Sequence, residues 1–234
     1  MRLLQQGRSS VKFAGVEFQH FPKLHDLPRA KELRLFMIIF YHGEGDKRIP
    51  SDVFDQIEKD SDRAAGIVAA AVVEQRLAEF IQSRFPESKL AARLITKLFN
   101  STSPLGSFSA KIDAAYLFGY ISEEAQSDLQ IIKEVRNRFA HSLDIDSFER
   151  PEIKARCENL RLVDRFVTEM DDEDQAAIVR GDAPKSSGAL MSFTGAGAQM
   201  KIPRQRYVTS AMVFNFFLGA RPGSGWARPD GVVI

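Results

Sequence analysis

Cysteine is almost absent from this 234-residue chain, since Cys157 is the only one, and this excludes an internal disulfide and a zinc site built from several cysteines. The formal net charge is only +1, which removes the argument for a general nucleic-acid-binding face but leaves a local basic patch open. A strongly apolar run at 35–41 is far shorter than the roughly 20 residues that cross a bilayer. Residues 1–6 lack the apolar stretch of a signal peptide. We therefore expect a cytoplasmic protein without cofactor, metal ion or membrane contact.

The composition that is present is ordinary for a globular protein, with 44% hydrophobic and 27% charged residues and enough length for a sizeable core. Changes in composition divide the chain into five parts. We interpret them as an N-terminal extension (1–50), a helical bundle core (51–170), a linker or loop (171–203), a terminal helix that packs on the bundle (204–218) and a tail (219–234).

Periodicity and start signals predict the elements of the core. Helices are predicted after Ser51, from Asp60 to Arg84, from Leu90 to Phe99, from Ser103 to about Tyr116, from Ser122 to about Leu143, from Pro151 through Val167 and from Arg204 to Leu218. A short strand is predicted within 11–18, an apolar element of undecided type at 33–40, and loops at 43–48 and 186–198. The pattern indicates an all-α fold, an antiparallel helical bundle with an irregular N-terminal extension and a Gly- and Pro-rich C-terminal tail.

The segment with the most chemical information is 136–141, with the sequence Arg-Asn-Arg-Phe-Ala-His. Arginine presents a planar, permanently charged fork that matches a phosphate, and histidine exchanges a proton near neutral pH. Side chains five positions apart on a helix point in directions that differ by roughly 140°. Arg136 and His141 could therefore contact one ligand only because the arginine side chain is long. Asn137 and His141, one turn apart, share a face.

Two interpretations of this segment follow from the residues. Arg136 shares a helical stripe with apolar residues, which predicts that it is half buried and needs a carboxylate such as Glu74 or Asp113. In the first interpretation Arg136 is a structural ion pair and His141 caps the helix C-terminus. In the second, His141 is a general acid/base, Arg136 a phosphate clamp and Asn137 an orienting group. Glu74 interrupts an apolar stripe, so we expect it to pair with Arg63, Lys111 or Arg136.

The sequence also resembles the mannitol operon repressor (MltR-like) family. The residues that carry the resemblance are Ser103 to Asp113, Tyr116, Gly119 to Ser122 and Arg136 to His141, with weaker similarity at Arg63 to Phe85 and Gln205 to Leu218. Together they cover roughly half of the chain. The resemblance implies a regulatory protein, a repressor by the family's name, that acts through a protein partner or through a nucleic-acid surface, although no helix-turn-helix signature is visible.

The Arg-x-x-x-x-His pattern also resembles the HEPN superfamily of helical domains, with which the MltR-like fold is compatible. This second resemblance implies an alternative function, a metal-independent endoribonuclease of a toxin or defence system that acts on RNA. In such ribonucleases two subunits complete the site at their interface. We also expect a homodimer, formed through the helices that bear 64–71 or 137–141, because the small residues of the first and the polar stripe of the second both suggest an intimate helical contact.

Weaker sites complete the predictions. A local cluster of basic and aromatic residues could contact nucleic acid; its members are Lys201, Arg204, Arg206 and Tyr207. Arg138 is a further candidate for such a contact. The acidic run 171–174 is more typical of a solvated helix end or linker than of a metal site.

Overall fold

The computed structural model describes residues 11–13, 16–18, 53–173, 176, 191–193 and 195–219. The helices are α1 (Val53–Lys59), α2 (Asp62–Gln82), α3 (Lys89–Phe99), α4 (Phe108–Leu117), α5 (Glu123–His141), α6 (Pro151–Glu158), α7 (Leu162–Phe166), α8 (Ala196–Gln199) and α9 (Pro203–Gly219). Strands β1 (Val11–Phe13) and β2 (Val16–Phe18) form an antiparallel pair, and β3 (Val167–Glu169) pairs in parallel with β4 (Met191–Phe193). The described chain is therefore an all-α bundle with two small strand pairs, which confirms the predicted fold class.

The bundle is organised around α2 and α9. Helix α2 packs against α1, α4, α5 and most extensively α9, while α9 also contacts α6 and α7. Nearly every residue of α9 from Tyr207 to Leu218 is buried, so this helix lies inside the bundle. Its one buried amide, Asn215, accepts a hydrogen bond of 2.8 Å from Nε of Arg76 on α2. Helix α9 is therefore covered by α2, from the beginning of the core, and by α6 and α7, from its end.

Serine hydroxyls begin four of the helices. Ser61, Ser88, Ser107 and Ser122 are the N-caps of α2, α3, α4 and α5, and each side chain accepts the backbone N–H three residues later. The predicted start of α4 at Ser103 is wrong by about one turn. Residues 100–106 form consecutive turns instead, and a Cβ on Gly106 would lie 2.3 Å from the carbonyl oxygen of Asn100.

The region after α5 differs most from the sequence prediction. The single helix predicted from Pro151 through Val167 is two helices, α6 and α7, separated by a break at 159–161 and followed by β3. The predicted loop 186–198 contains β4 and most of α8. The predicted element at 33–40, the loop at 43–48, the helix start at Ser51 and the tail from 220 lie outside the described residues.

Asp128 of α5 holds the break between α6 and α7. Its carboxylate is fully buried and accepts the backbone N–H groups of Arg161 and Leu162 at 2.9–3.1 Å, which caps α7. Burial raises the pKa of Asp128 to about 6, although these hydrogen bonds and the charge of Arg206 lower it and that of Glu124 raises it further. The folded protein therefore retains this proton at a pH where the unfolded chain has lost it.

We expect the stability of the wild type relative to Asp128→Asn to fall as pH increases from about 4 to about 6. Below pH 3.8, the ordinary pKa of this carboxyl in the unfolded chain, Asp128 is protonated in both the folded and the unfolded state, so its contribution to stability is fully present. Between the two values only the unfolded state ionises, so the free energy of unfolding drops, by at most about 3 kcal/mol at 1.36 kcal/mol per unit. Urea denaturation of both proteins across this pH range measures the difference. If the free energies of unfolding of the two proteins change in parallel with pH, Asp128 is not a buried carboxyl with a raised pKa.

Candidate functional site

The first component of the candidate site is a group of charged and polar side chains on α2, α4 and α5, here called the Glu74 cluster. Its members are Glu74, Lys111, Arg136 and Asn137. One carboxylate oxygen of Glu74 accepts Lys111 Nζ at 2.7 Å, and the other accepts Arg136 Nη2 at 3.0 Å. Arg136 also donates to Asn137 Oδ1 at 3.0 Å, and Lys111 to the carbonyl of Gly106 at 3.1 Å. The cluster joins three helices through one carboxylate.

Burial makes the two cations depend on Glu74. Lys111 is only 7% exposed, while the side chains of Glu74 and Arg136 are 22% and 29% exposed. An ammonium removed from water to this degree requires a nearby negative charge. Glu74 thus pairs with two of the three basic groups expected from the sequence. The third, Arg63, lies elsewhere, and Asp113 accepts from Gln130 instead of from Arg136.

The second component is an open cleft between α5 and α6, of about 410 Å³. Its lining residues are Glu134, Asn137, Arg138, His141, Ser142 and Arg156. Glu134 accepts Arg156 Nε at 3.1 Å, so one cation of the cleft is already neutralised. Arg138 and His141 are exposed, and no side chain of the described residues is hydrogen-bonded to either of them. This α5–α6 cleft can therefore offer a guanidinium, an imidazole and an amide to a ligand.

The structure separates the two ends of the Arg-x-x-x-x-His pattern. Arg136 faces α2 and α4 through Glu74, whereas His141 lies in the α5–α6 cleft. Asn137 is the link, because its Oδ1 accepts from Arg136 while the residue also lines the cleft. Within one chain the guanidinium and the imidazole consequently do not converge on a common ligand.

Arginines from other helices stabilise helix ends near this site. Arg63 at the start of α2 donates to the backbone carbonyls of Phe139 and Ser142 at the C-terminal end of α5, and to those of Leu143 and Ile145 in the segment that follows. The last carbonyls of a helix lack partners within the helix and carry its negative dipole end, so a guanidinium stabilises both features. The sequence placed Arg63 among the partners of Glu74, and its role as a cap of α5 was missed.

The predicted basic and aromatic cluster is largely an internal structure, because three of its residues make their hydrogen bonds inside the bundle, while a nucleic-acid contact stays a prediction. Tyr207 is fully buried and its hydroxyl donates to the carbonyl of Gly66 at 2.9 Å. Arg204 pairs with Asp62 and donates to three carbonyls at the end of α1. Arg206 pairs with Asp164 and donates to carbonyls at the end of α6. Lys201 of the cluster is exposed, as is Arg138 on α5.

Asp62, like Asp128, is a structural carboxyl residue that the sequence analysis did not single out. Burial raises the pKa of its carboxyl, but hydrogen bonds from the Phe148 backbone, Arg204 and Ser147 outweigh burial, so the pKa is lowered. Asp62 therefore ties α2, α9 and the segment after α5 together as a carboxylate. The sequence signal was weak, because an acid in the first turn of a helix is expected there for the dipole alone.

Two general observations concern the described part of the chain. None of its groups of His, Cys, Asp and Glu side chains is arranged to hold a metal ion. None of its helices combines the length and the apolar character that crossing a bilayer requires.

Fold and site together define a helical-bundle protein whose Arg–His segment joins an ion-paired framework on one side to an open cleft on the other. The family model described as "Mannitol repressor" matches residues 50–214, well over half of the chain, so the protein belongs to the mannitol repressor family. This confirms the resemblance to that family, while the resemblance to HEPN domains stays a prediction.

A solved structure has the same fold. It is the X-ray structure of the MtlR–HPr complex from Escherichia coli, with a TM-score of 0.51 and 14% sequence identity over 72% of this chain and 96% of that chain. Identity this low establishes similarity of fold alone. No curated protein matches the chain.

Proposed function

We propose that this member of the mannitol repressor family is a regulator that acts by binding another protein. The observation that carries the proposal is the position of Arg136, whose guanidinium is held by Glu74 and Asn137 and does not face His141. A guanidinium occupied in this way stabilises the bundle and is not available to clamp a phosphate beside the imidazole. This arrangement favours the structural interpretation of the segment over the ribonuclease interpretation.

The inward direction of the basic cluster favours a protein partner over a nucleic acid. Arg204 and Arg206 are engaged with carboxylates and helix ends and the net charge is only +1, so these two arginines add little to a basic surface for a phosphate backbone. The partner we propose is HPr, because the E. coli protein with this fold was solved in a complex with HPr. Cytoplasmic location belongs to the same proposal.

Self-association is a separate part of the proposal. The small residues of α2 that suggested an intimate dimer contact are used inside the chain, since Ala65, Gly66, Ala69 and Ala70 are all buried. The exposed surface around Asn137 and His141 is the other expected contact. We therefore propose that any homodimer forms through the α5–α6 cleft.

Titration calorimetry of the full chain with purified HPr, from the organism that encodes the chain, tests the function. We expect binding with a Kd below about 100 µM, equivalent to roughly −5.5 kcal/mol. The same preparation, incubated with a panel of single-stranded RNAs in EDTA, should leave them uncut.

Two results would contradict the proposal. One is that calorimetry detects no heat of binding when HPr is present at concentrations well above that Kd. The other is RNA cleavage that decreases by about 10² or more in His141→Ala, the scale of lost general acid/base catalysis. The second result would support the ribonuclease interpretation, provided that His141→Ala melts at the temperature of the wild type and is therefore folded.

A further inference from the structure

Helix α3 (Lys89–Phe99) is the one long helix of the described bundle that has no buried side chain. Its leucines Leu90, Leu94 and Leu98, here called the leucine row, are 56%, 47% and 36% exposed. The helix is nevertheless well formed, since the hydroxyl of Ser88 accepts a backbone N–H of the first turn as its N-cap. Three leucines that a folded helix holds open to solvent are typical of a surface that binds something else.

The side chains of α3 fall into four rows, since successive residues on a helix are turned by about 100°. The row that faces the bundle is only partly exposed and consists of Ala91, Ile95 and Phe99. The leucine row comes next around the helix. It is followed by a basic row, which consists of Lys89, Arg93 and Lys97. The last row is exposed and uncharged and consists of Ala92 and Thr96. The leucine row therefore has the bundle on one side and the basic row on the other.

The protein does not neutralise the basic row. None of its three cations forms an ion pair or a side-chain hydrogen bond within the part of the chain that the structure describes. Between Ser83 and Phe99 the sequence adds one further cation, Arg84, and a single acidic residue, Glu87. The surface beside the leucines consequently has an excess of positive charge, which attracts an anionic ligand.

A second group of exposed apolar side chains lies next to the segment that leads into α3. Leu117 and Phe118, at the end of α4, are 79% and 53% exposed. The ring centre of Phe118 is 5.6 Å from that of Tyr120, and the guanidinium of Arg84 is 5.3 Å from the Tyr120 ring centre. Exposed apolar side chains therefore occur on two neighbouring elements and not on α3 alone.

We infer that α3 binds an anionic lipid surface and lies in its plane, with the leucine row between the headgroups and the acyl chains and the basic row on the lipid phosphates. An apolar face beside a lysine- and arginine-rich face is the pattern of helices that bind in this way. The long basic side chains can reach the headgroups while their stems stay beside the leucines. The inference goes beyond the proposed function and does not depend on it.

The absence of membrane contact expected from the sequence rested on the lack of a spanning segment and of a signal peptide. A helix of 11 residues cannot span a bilayer, but binding in the plane of the surface does not require spanning length. The two statements therefore concern different kinds of contact.

Charge and shape favour a lipid surface over a second copy of the chain. Two α3 helices packed antiparallel through their leucine rows would bring their basic rows close together, where like charges repel. Anionic lipids attract the same cations. A fluid surface also accepts leucines from α3 together with Leu117 and Phe118 from α4 without a groove of matching shape.

Co-sedimentation of the full chain with lipid vesicles tests the inference. We expect the chain to bind vesicles that contain phosphatidylcholine and phosphatidylglycerol in about equal amounts. Binding to vesicles of phosphatidylcholine alone should be weaker by about tenfold or more. Binding to the anionic vesicles should decrease as the salt concentration increases, because salt screens the attraction.

A matched pair of double variants tests the leucine row. Leu90→Gln/Leu94→Gln should lower the partition coefficient on anionic vesicles by about tenfold or more, because two apolar side chains no longer enter the lipid. Ala92→Gln/Thr96→Gln makes the same kind of change in the uncharged row and should lower it by less than about threefold. Both variants should melt like the wild type, since all four positions are exposed.

The basic row is tested separately by Arg93→Gln/Lys97→Gln, which leaves the leucines intact. We expect binding to the anionic vesicles to weaken by about tenfold or more. Most of the difference between the two kinds of vesicle should disappear with these two cations.

Four results would overturn the inference. The wild type stays in the supernatant with an excess of anionic vesicles; it binds the two kinds of vesicle equally well; or Leu90→Gln/Leu94→Gln binds like the wild type. The fourth is that this variant dissociates a wild-type dimer in light scattering, or loses HPr in calorimetry while the wild type ignores vesicles, since a second copy or a protein would then cover the leucine row. The calorimetry with HPr contains no lipid, so failure of the proposed function and failure of this inference are observed independently.

Discussion

Glu74→Ala is expected to lower the free energy of unfolding by about 3–5 kcal/mol, because it leaves two cations of the Glu74 cluster without their carboxylate. Lys111 bears most of this loss, since it is 7% exposed and its other acceptor is one backbone carbonyl. Arg136 keeps its bond to Asn137 and is closer to water, so its contribution is smaller. Urea denaturation followed by far-UV circular dichroism measures the change as a shift in midpoint at unchanged slope.

Two further variants make this prediction specific. Glu134→Ala removes another ion pair of α5, the one between Glu134 and Arg156. Because the Glu134 side chain is 51% exposed, this variant should lose less than about 1 kcal/mol of the free energy of unfolding. The double variant Glu74→Ala/Lys111→Met should be more stable than Glu74→Ala alone, because it removes the unpaired buried charge together with its partner. A Glu74→Ala protein that unfolds at the wild-type midpoint would show that the cluster contributes nothing to stability.

Gly66→Val is expected to destabilise the protein by about 3 kcal/mol or more, at the upper end of the cost of overpacking a core. A Cβ at position 66 would lie 2.3 Å from Cδ2 of Phe139. The Phe139 ring is fully buried and packs edge-on against Phe148 with ring centres 4.9 Å apart, so moving it aside would disturb the core packing. Absence of the side chain at Gly66 is what lets α2 approach α5 this closely.

Gly197→Val is the matched control for this substitution. Position 197 is also helical but exposed, and the nearest atom to a Cβ there is a carboxylate oxygen of Glu169 at 3.6 Å. We expect it to change the melting temperature by less than a few degrees. A Gly66→Val protein as stable as Gly197→Val would mean that α2 and α5 are not in the close contact described.

Local signals in the sequence predicted the elements that depend on local chemistry. Ser122 was identified as the start of α5, Pro151 as the start of α6, and the bounds of α2 and α9 were within two residues of those observed. The break before α7 could not be predicted in the same way, because the group that stabilises it is Asp128, more than thirty residues earlier. Asp128 does fall on the apolar stripe of α5 with Ala125 and Leu129, and a polar residue in such a position is a signal that was overlooked.

The candidate site was predictable to a similar extent. An acidic residue on an apolar stripe indicated that Glu74 has a basic partner, but the choice among three cations depends on how α2, α4 and α5 pack. The internal partners of Arg204 and Arg206 could not be predicted, because their neighbours in sequence are basic and aromatic, whereas their acceptors are carbonyls at the ends of distant helices. The exposure of α3 also escaped prediction, since its amphipathic pattern does not reveal whether another element covers it.

The pairing of α2 with α9 has a consequence for the protein while it is being synthesised. The 120 residues from 83 to 202 separate these two helices, yet each covers a large part of the other. A nascent chain that has not reached Pro203 therefore leaves the side of α2 that packs against α9 open to the ribosome exit and to chaperones. Loop closure over this separation must precede the main gain from burial, so formation of the core awaits translation of α9.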